Sequence, residues 1–154
     1  MEKIASFTVN HLNLKPGLYV SRRDKNIDVV TTFDLRFTAP NVEPVMDNAG
    51  LHTIEHLGAT FLRNSYAKDD VIYFGPMGCR TGFYLVMFGE LNSIDVFGLV
   101  VEILEFIVNH DGEIPGAKPE ECGNYSDQDL DAAKKYAKKY LIELVDHKRM
   151  EYPQ

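Results

Sequence analysis

The stretch "GLHTIEHLG" (Gly50–Gly58) gathers His52, Glu55 and His56 into five residues. On an α-helix, positions i and i+4 share a face, so two imidazoles can converge on one cation. Glu55 stands one residue before the second histidine, where a carboxylate can move protons beside a bound ion. Two imidazoles need a third protein ligand, and a catalytic ion keeps a further position open. The chain has only two cysteines, Cys79 and Cys122. Cys122 lies in "PEECGNYS", where Gly123 lets a loop fold tightly and carry a thiolate over a helix face. Cys79 lies in "GPMGCRTG", with Gly75, Gly78 and Gly82 around it and Arg80 next to it as a candidate thiolate partner. A thiol on such an open turn suits a nucleophile or base. A second arrangement is also open, in which Cys79 closes the metal as a fourth ligand of a structural site.

Two chemistries use these residues differently. In the order H-x-x-E-H, Glu55 is the general base of an inverted-zincin metallopeptidase, and a downstream helix must add a carboxylate ligand, Glu102 or Glu105. That reading gives neither cysteine a role. In the other, His52, His56 and Cys122 hold one open metal while Glu55 and Cys79 carry protons. A Lewis acid flanked by two acid/base groups suits isomerisation of a sugar, or elimination β to a carbonyl. Arg36, in "FDLRF", alternates with Leu35 and Phe37 and has a planar fork that can grip a carboxylate. Spacing alone reads it as a surface strand arginine. His11 is ambiguous by itself, and His110 and His147 read as structural residues of helix ends.

The elements that must position these residues follow from periodicity. "LKPGLYVSRRDKNIDVVTTFDLRF" predicts two strands around a turn at Asp24–Asn26. After the two prolines of "TAPNVEP", Asp47 or Asn48 caps a helix that runs to about Ser65. Leu51, Ile54, Gly58, Phe61 and Leu62 form its buried side; His52, Glu55, His56, Ala59 and Arg63 form an adjacent stripe. "DVIYFGPMGCRTGFYLVMFGE" predicts two further strands interrupted at Pro76–Gly82. An apolar helix spans about Ser93 to His110, and a last helix begins at Ser126, with Asp129 in an acidic first turn, and ends near His147. The order β-β-α-β-β-α-α predicts an α+β fold, an antiparallel sheet with helices packed on one face.

Bulk properties narrow the partners. A chain of 154 residues that is 45% hydrophobic suits one domain over residues 1–154. A net charge of −7 and the absence of a basic block exclude nucleic acid as a natural partner. The most apolar stretch, Val96–Val108, carries Glu102 and Glu105 and reads as a buried helix, so no membrane partner is expected. The opening "MEKIASFTVN" does not read as a signal peptide, and two cysteines fit a reducing cytoplasm.

The blocks "HTIEHL", "GPMGCRTGFY" and "ECGNY", in this order and separation, resemble the signature of the S-ribosylhomocysteine lyases, the LuxS or autoinducer-2 synthase family. "FDLRFTAPN" resembles the same family, and "SFTVNHLNLKPGLYV" does so more loosely. The blocks span residues 6 to about 125. Two departures lie in flanking positions: Asn10 precedes His11 where the family more often has Asp, and "YFG" (Tyr73–Gly75) stands where an Asp-containing segment is common. The resemblance implies a LuxS/processing-peptidase-like fold. It implies cleavage of S-ribosylhomocysteine to homocysteine and 4,5-dihydroxypentane-2,3-dione by carbonyl migration and β-elimination. It implies one divalent metal per subunit, Fe(II) replaceable by zinc or cobalt, on His52, His56 and Cys122. Cys79 and Glu55 become the acid/base pair, Ser6, His11 and Arg36 bind substrate, and two subunits of a homodimer share each site.

Overall fold

The computed structural model describes residues 4–154. Four strands come in two consecutive pairs, β1 (Gly17–Lys25) with β2 (Val29–Arg36) and β3 (Val71–Pro76) with β4 (Gly82–Phe88); α1 (Ala5–Thr8) precedes the first pair, α2 (Asn48–Asn64) separates the pairs, and α3 (Ser93–Asn109) and α4 (Leu130–His147) follow. All strand pairs are antiparallel in the order β1-β2-β4-β3. The expected α+β architecture is present. The first turn falls at residues 26–28 rather than 24–26, and the four-residue α1 carries no periodic signal that sequence reading could use.

Alternation along the strands separates two faces. Leu18, Phe33, Leu35, Phe37, Phe83, Leu85 and Met87 point to one face and merge with the apolar sides of α2, α3 and α4 into one core. Each such fully buried aliphatic or aromatic side chain stabilises the fold by roughly 1.5–3 kcal/mol. The other face is polar: Thr32, Asp34 and Arg36 of β2 pair across to Val86, Tyr84 and Gly82 of β4. The three long helices therefore cover one side only, while α1 borders the polar face, where Ser6 lies near Thr32, Tyr73 and Tyr84.

The helix starts follow capping chemistry. Asp47 caps α2 by accepting from Gly50 N at 2.8 Å. Asn92 and Asp95 form a reciprocal capping box at α3. The last helix begins at Leu130, not at Ser126. Asp129 is the cap, accepting from Ala132 N at 2.9 Å; Ser126 lies in a turn, and Asp127 and Gln128 stay outside the helix and bond to α2.

Candidate functional site

Within α2, Leu51, Ile54, Gly58 and Leu62 are buried and Gly58 abuts Phe74 of β3. His52, Glu55 and His56 are half-buried on the stripe well around the helix from that contact, as expected. The long loop between α3 and α4 closes over this stripe. Pro115 O accepts from His56 Nδ1 at 2.7 Å, and Asp127 O accepts from His52 Nδ1 at 2.8 Å. A carbonyl can only accept, so both imidazoles carry a proton on Nδ1, and in the neutral ring the lone pair is then on Nε2. The two Nε2 atoms face each other at 3.0 Å, and Cys122 Sγ lies 3.5 Å from His52 Nε2.

Two acceptors aimed at each other with a sulfur beside them form a poor hydrogen-bond set and a good cation site. The three ligand atoms lie within 4.8 Å of one another, and among the described residues they are the group of His, Cys, Asp and Glu side chains close enough to share an ion. The donor set therefore fits a metal. Glu102 and Glu105 are exposed on α3 and line a separate groove with Phe61 and His110, so the carboxylate that a peptidase centre needs is not supplied there.

Sequence reading missed what holds the centre. Thr53 Oγ1 donates to Gln128 Oε1 at 2.6 Å and accepts from Asp129 N at 2.9 Å, tying the loop to α2. Gly116 has φ +74°, and a Cβ there would stand 2.9 Å from His56 Nδ1. Only glycine allows both that backbone and that approach. The "PG" pair was the available signal.

Cys79 is not in the metal cluster, so the closed two-His two-Cys arrangement does not form. Its Sγ lies 3.1 Å from Thr81 Oγ1 and 4.0 Å from Arg36 Nη1. Arg80, the neighbour expected to support the thiolate, adopts φ +59° and reaches Met46 O at 3.4 Å instead. Arg36 is not a surface arginine: it is 3% exposed. Its Nε and Nη2 donate to Asp34 Oδ1 at 3.1 Å and Oδ2 at 2.6 Å, and Nη1 donates to Thr81 Oγ1 at 2.7 Å. Burial alone works against the guanidinium's charge, but Asp34 outweighs it and raises the pKa of Arg36. Asp34 sits two residues from Arg36 on the same strand face, so the D-x-R spacing pointed to it.

Ser6 is half-buried and borders a groove of about 240 Å³ with Thr32, Tyr73 and Tyr84. His11 is half-buried, with Nδ1 against Val9 O at 2.8 Å. His110 bonds Glu113 O at 2.9 Å and His147 approaches Glu143 at 3.7 Å, both structural as read from sequence. Ser6, Arg36 and Cys79 thus belong to the polar sheet face, and the His52–His56–Cys122 cluster belongs to the helix layer.

The chain is 57% identical to an S-ribosylhomocysteine lyase of Finegoldia magna and to another of Clostridium acetobutylicum, each covering 100% of both chains. It is 50% identical to an S-ribosylhomocysteine lyase of Borreliella burgdorferi, over 99% of this chain and 100% of the relative. The family model described as S-Ribosylhomocysteinase (LuxS) matches residues 4–151. That match takes in both faces of the sheet and every ligand of the candidate centre, and the chain belongs to the S-ribosylhomocysteinase (LuxS) family.

Proposed function

We propose that this chain cleaves the thioether of S-ribosylhomocysteine, releasing homocysteine and 4,5-dihydroxypentane-2,3-dione, the autoinducer-2 precursor. The observation that carries the reading is the convergence of His52, His56 and Cys122 in a chain that matches S-ribosylhomocysteine lyases along its whole length. Those three residues hold one divalent ion per subunit, Fe(II) in our reading, with zinc or cobalt able to replace it. Borderline imidazole and soft thiolate donors suit all three ions. When bound, the ion supplies Lewis acidity to a carbonyl oxygen of the sugar.

The protein's own groups move the protons. Glu55, beside the ligands on α2, and Cys79, beside Arg36, act as acids and bases on the sugar carbons as the carbonyl passes from C1 to C2 and then to C3. Loss of the C4 proton then forms a C4–C5 double bond, the C5–S bond breaks, and homocysteine leaves with a proton on sulfur. Ser6, His11 and Arg36 are the substrate contacts; Asp34 holds Nε and Nη2 of Arg36, which leaves Nη1, beside Thr81 and Cys79, for that role.

The separation of Cys79 from the metal cluster supports a homodimer in which the sheet face of one chain completes the centre of the other. No helix among the described residues is long and apolar enough to cross a membrane, and two free cysteines suit a cytoplasmic enzyme whose product can serve as a quorum signal. Metal-loaded protein incubated with S-ribosylhomocysteine is expected to release a free thiol that a disulfide dye detects. Absence of thiol release refutes the assignment.

A further inference from the structure

The C-terminal tail reaches the buried ion pair behind Cys79. Lys148 ends α4 in the left-handed conformation, φ +46°, and turns the chain onto β1. Arg149 O accepts from Leu18 N at 2.9 Å, and Arg149 Nη1 donates to Pro16 O at 3.0 Å. The chain then rounds the edge of β1, and Tyr152 stacks on Tyr19 with ring centroids 4.7 Å apart. The Tyr152 hydroxyl donates to Asp34 Oδ2 at 2.9 Å. Burial first, and then the Asp34 charge, push the Tyr152 pKa well above the ordinary tyrosine value, so the hydroxyl stays a donor.

We propose that Tyr152 is a positioning residue for Cys79, acting through Asp34 and Arg36. Asp34 Oδ2 is shared between Arg36 Nη2 and the Tyr152 hydroxyl. The hydroxyl disperses part of the carboxylate's charge, so the guanidinium is less fully cancelled and Nη1 keeps a positive field at Cys79 Sγ, 4.0 Å away. Without it, a 2%-exposed carboxylate oxygen loses a partner and draws harder on the same guanidinium. The field at sulfur falls, and with it the reactivity that alkylation reads. The titratable groups around this pair are Tyr84 on β4, Tyr19 on β1, Tyr140 on α4, Cys79 on the β3–β4 turn and Tyr152 itself. Among these tyrosines, Tyr152 is the one whose hydroxyl donates to Asp34, whereas those of Tyr19 and Tyr140 donate to Lys15 O and Gly17 O.

The inference rests on Cys79 being an acid/base group of the proposed lyase. The test is Tyr152→Phe, which keeps the stacked ring and removes only the hydroxyl, made in metal-loaded full-length protein. Peptide-resolved iodoacetamide labelling reports Cys79 apart from Cys122. We expect Cys79 labelling at neutral pH to slow by roughly three- to tenfold, the span of one hydrogen bond, with the pH profile moved upward. We expect kcat to fall by a similar factor with KM changed less than about twofold. A Tyr152→Phe labelling profile that coincides with the parent's overturns the proposal, whatever happens to turnover. Turnover that survives Cys79→Ala overturns the assigned role of Cys79 instead, even where the labelling profile has shifted.

Discussion

Gly116→Ala is the most economical probe of the candidate metal centre, because it alters none of the three candidate ligands. The added Cβ would stand 2.9 Å from His56 Nδ1 and 3.2 Å from His56 Cε1. Carbon and nitrogen atoms settle near 3.5 Å, so about half an ångström must be absorbed by the ring or the loop. Either movement disturbs the 2.7 Å bond from His56 Nδ1 to Pro115 O, which sits one residue away. Loss of such a supporting bond costs roughly 10- to 100-fold in metal affinity. The left-handed backbone at φ +74° adds about 1 kcal/mol of strain for any residue with a Cβ. The two effects separate experimentally. Denaturant unfolding of metal-free protein should show the backbone strain and the crowding against His56 together, and chelator competition should show the lost affinity. Gly123→Ala is the control, since nothing lies within 4 Å of its new methyl group. If Gly116→Ala binds metal as tightly as Gly123→Ala, the carbonyl-held imidazole is not what organises the centre.

The two cysteines should divide their labour: Cys122→Ala loses the ion by elemental analysis, whereas Cys79→Ala keeps it and loses thiol release. Asp47→Ala removes the cap that anchors α2 and should cost about 1 kcal/mol in urea unfolding, with the m-value unchanged. The Gly50 N–H, and next the Tyr136 hydroxyl, lower the Asp47 pKa in the folded state. Its contribution is therefore complete above the ordinary aspartate range and lost as pH falls through the lowered value, so Asp47→Asn should flatten stability between mildly acidic and strongly acidic pH. Tyr140→Phe deletes a fully buried hydroxyl that donates to Gly17 O at 2.7 Å. Without that bond, the variant should be less stable by roughly 0.5–1.5 kcal/mol, measured by thermal or urea unfolding.

The parts of the fold and site that were legible were those governed by local rules. The i,i+4 histidines, the strand alternation of "VVTTFDLRF" and the polar caps each declare themselves within a few residues, and α2, α3 and all four strands lie close to where periodicity places them. What stayed hidden depends on contacts far apart in sequence. Arg36 read as a surface residue because alternation says which face a side chain takes, but not whether that face is covered; here Asp34, Thr81 and Tyr152 enclose it. Local propensity puts the start of α4 four residues early because Ser126 is a good cap in isolation. The bonds from Asp127 and Gln128 to His52 and Thr53 hold that segment open, and no local propensity records them.

The loop between α3 and α4 does more than donate Cys122. The same segment fixes the tautomer of His56 through Pro115 and that of His52 through Asp127. Its ordering and the competence of all three ligands are therefore one event, and partial assembly has little to recommend it. Loosening this segment weakens all three candidate ligands at once, so metal exchange is expected to quicken with it. Conditions that loosen the loop, and not only those that protonate a ligand, should set how readily one metal replaces another.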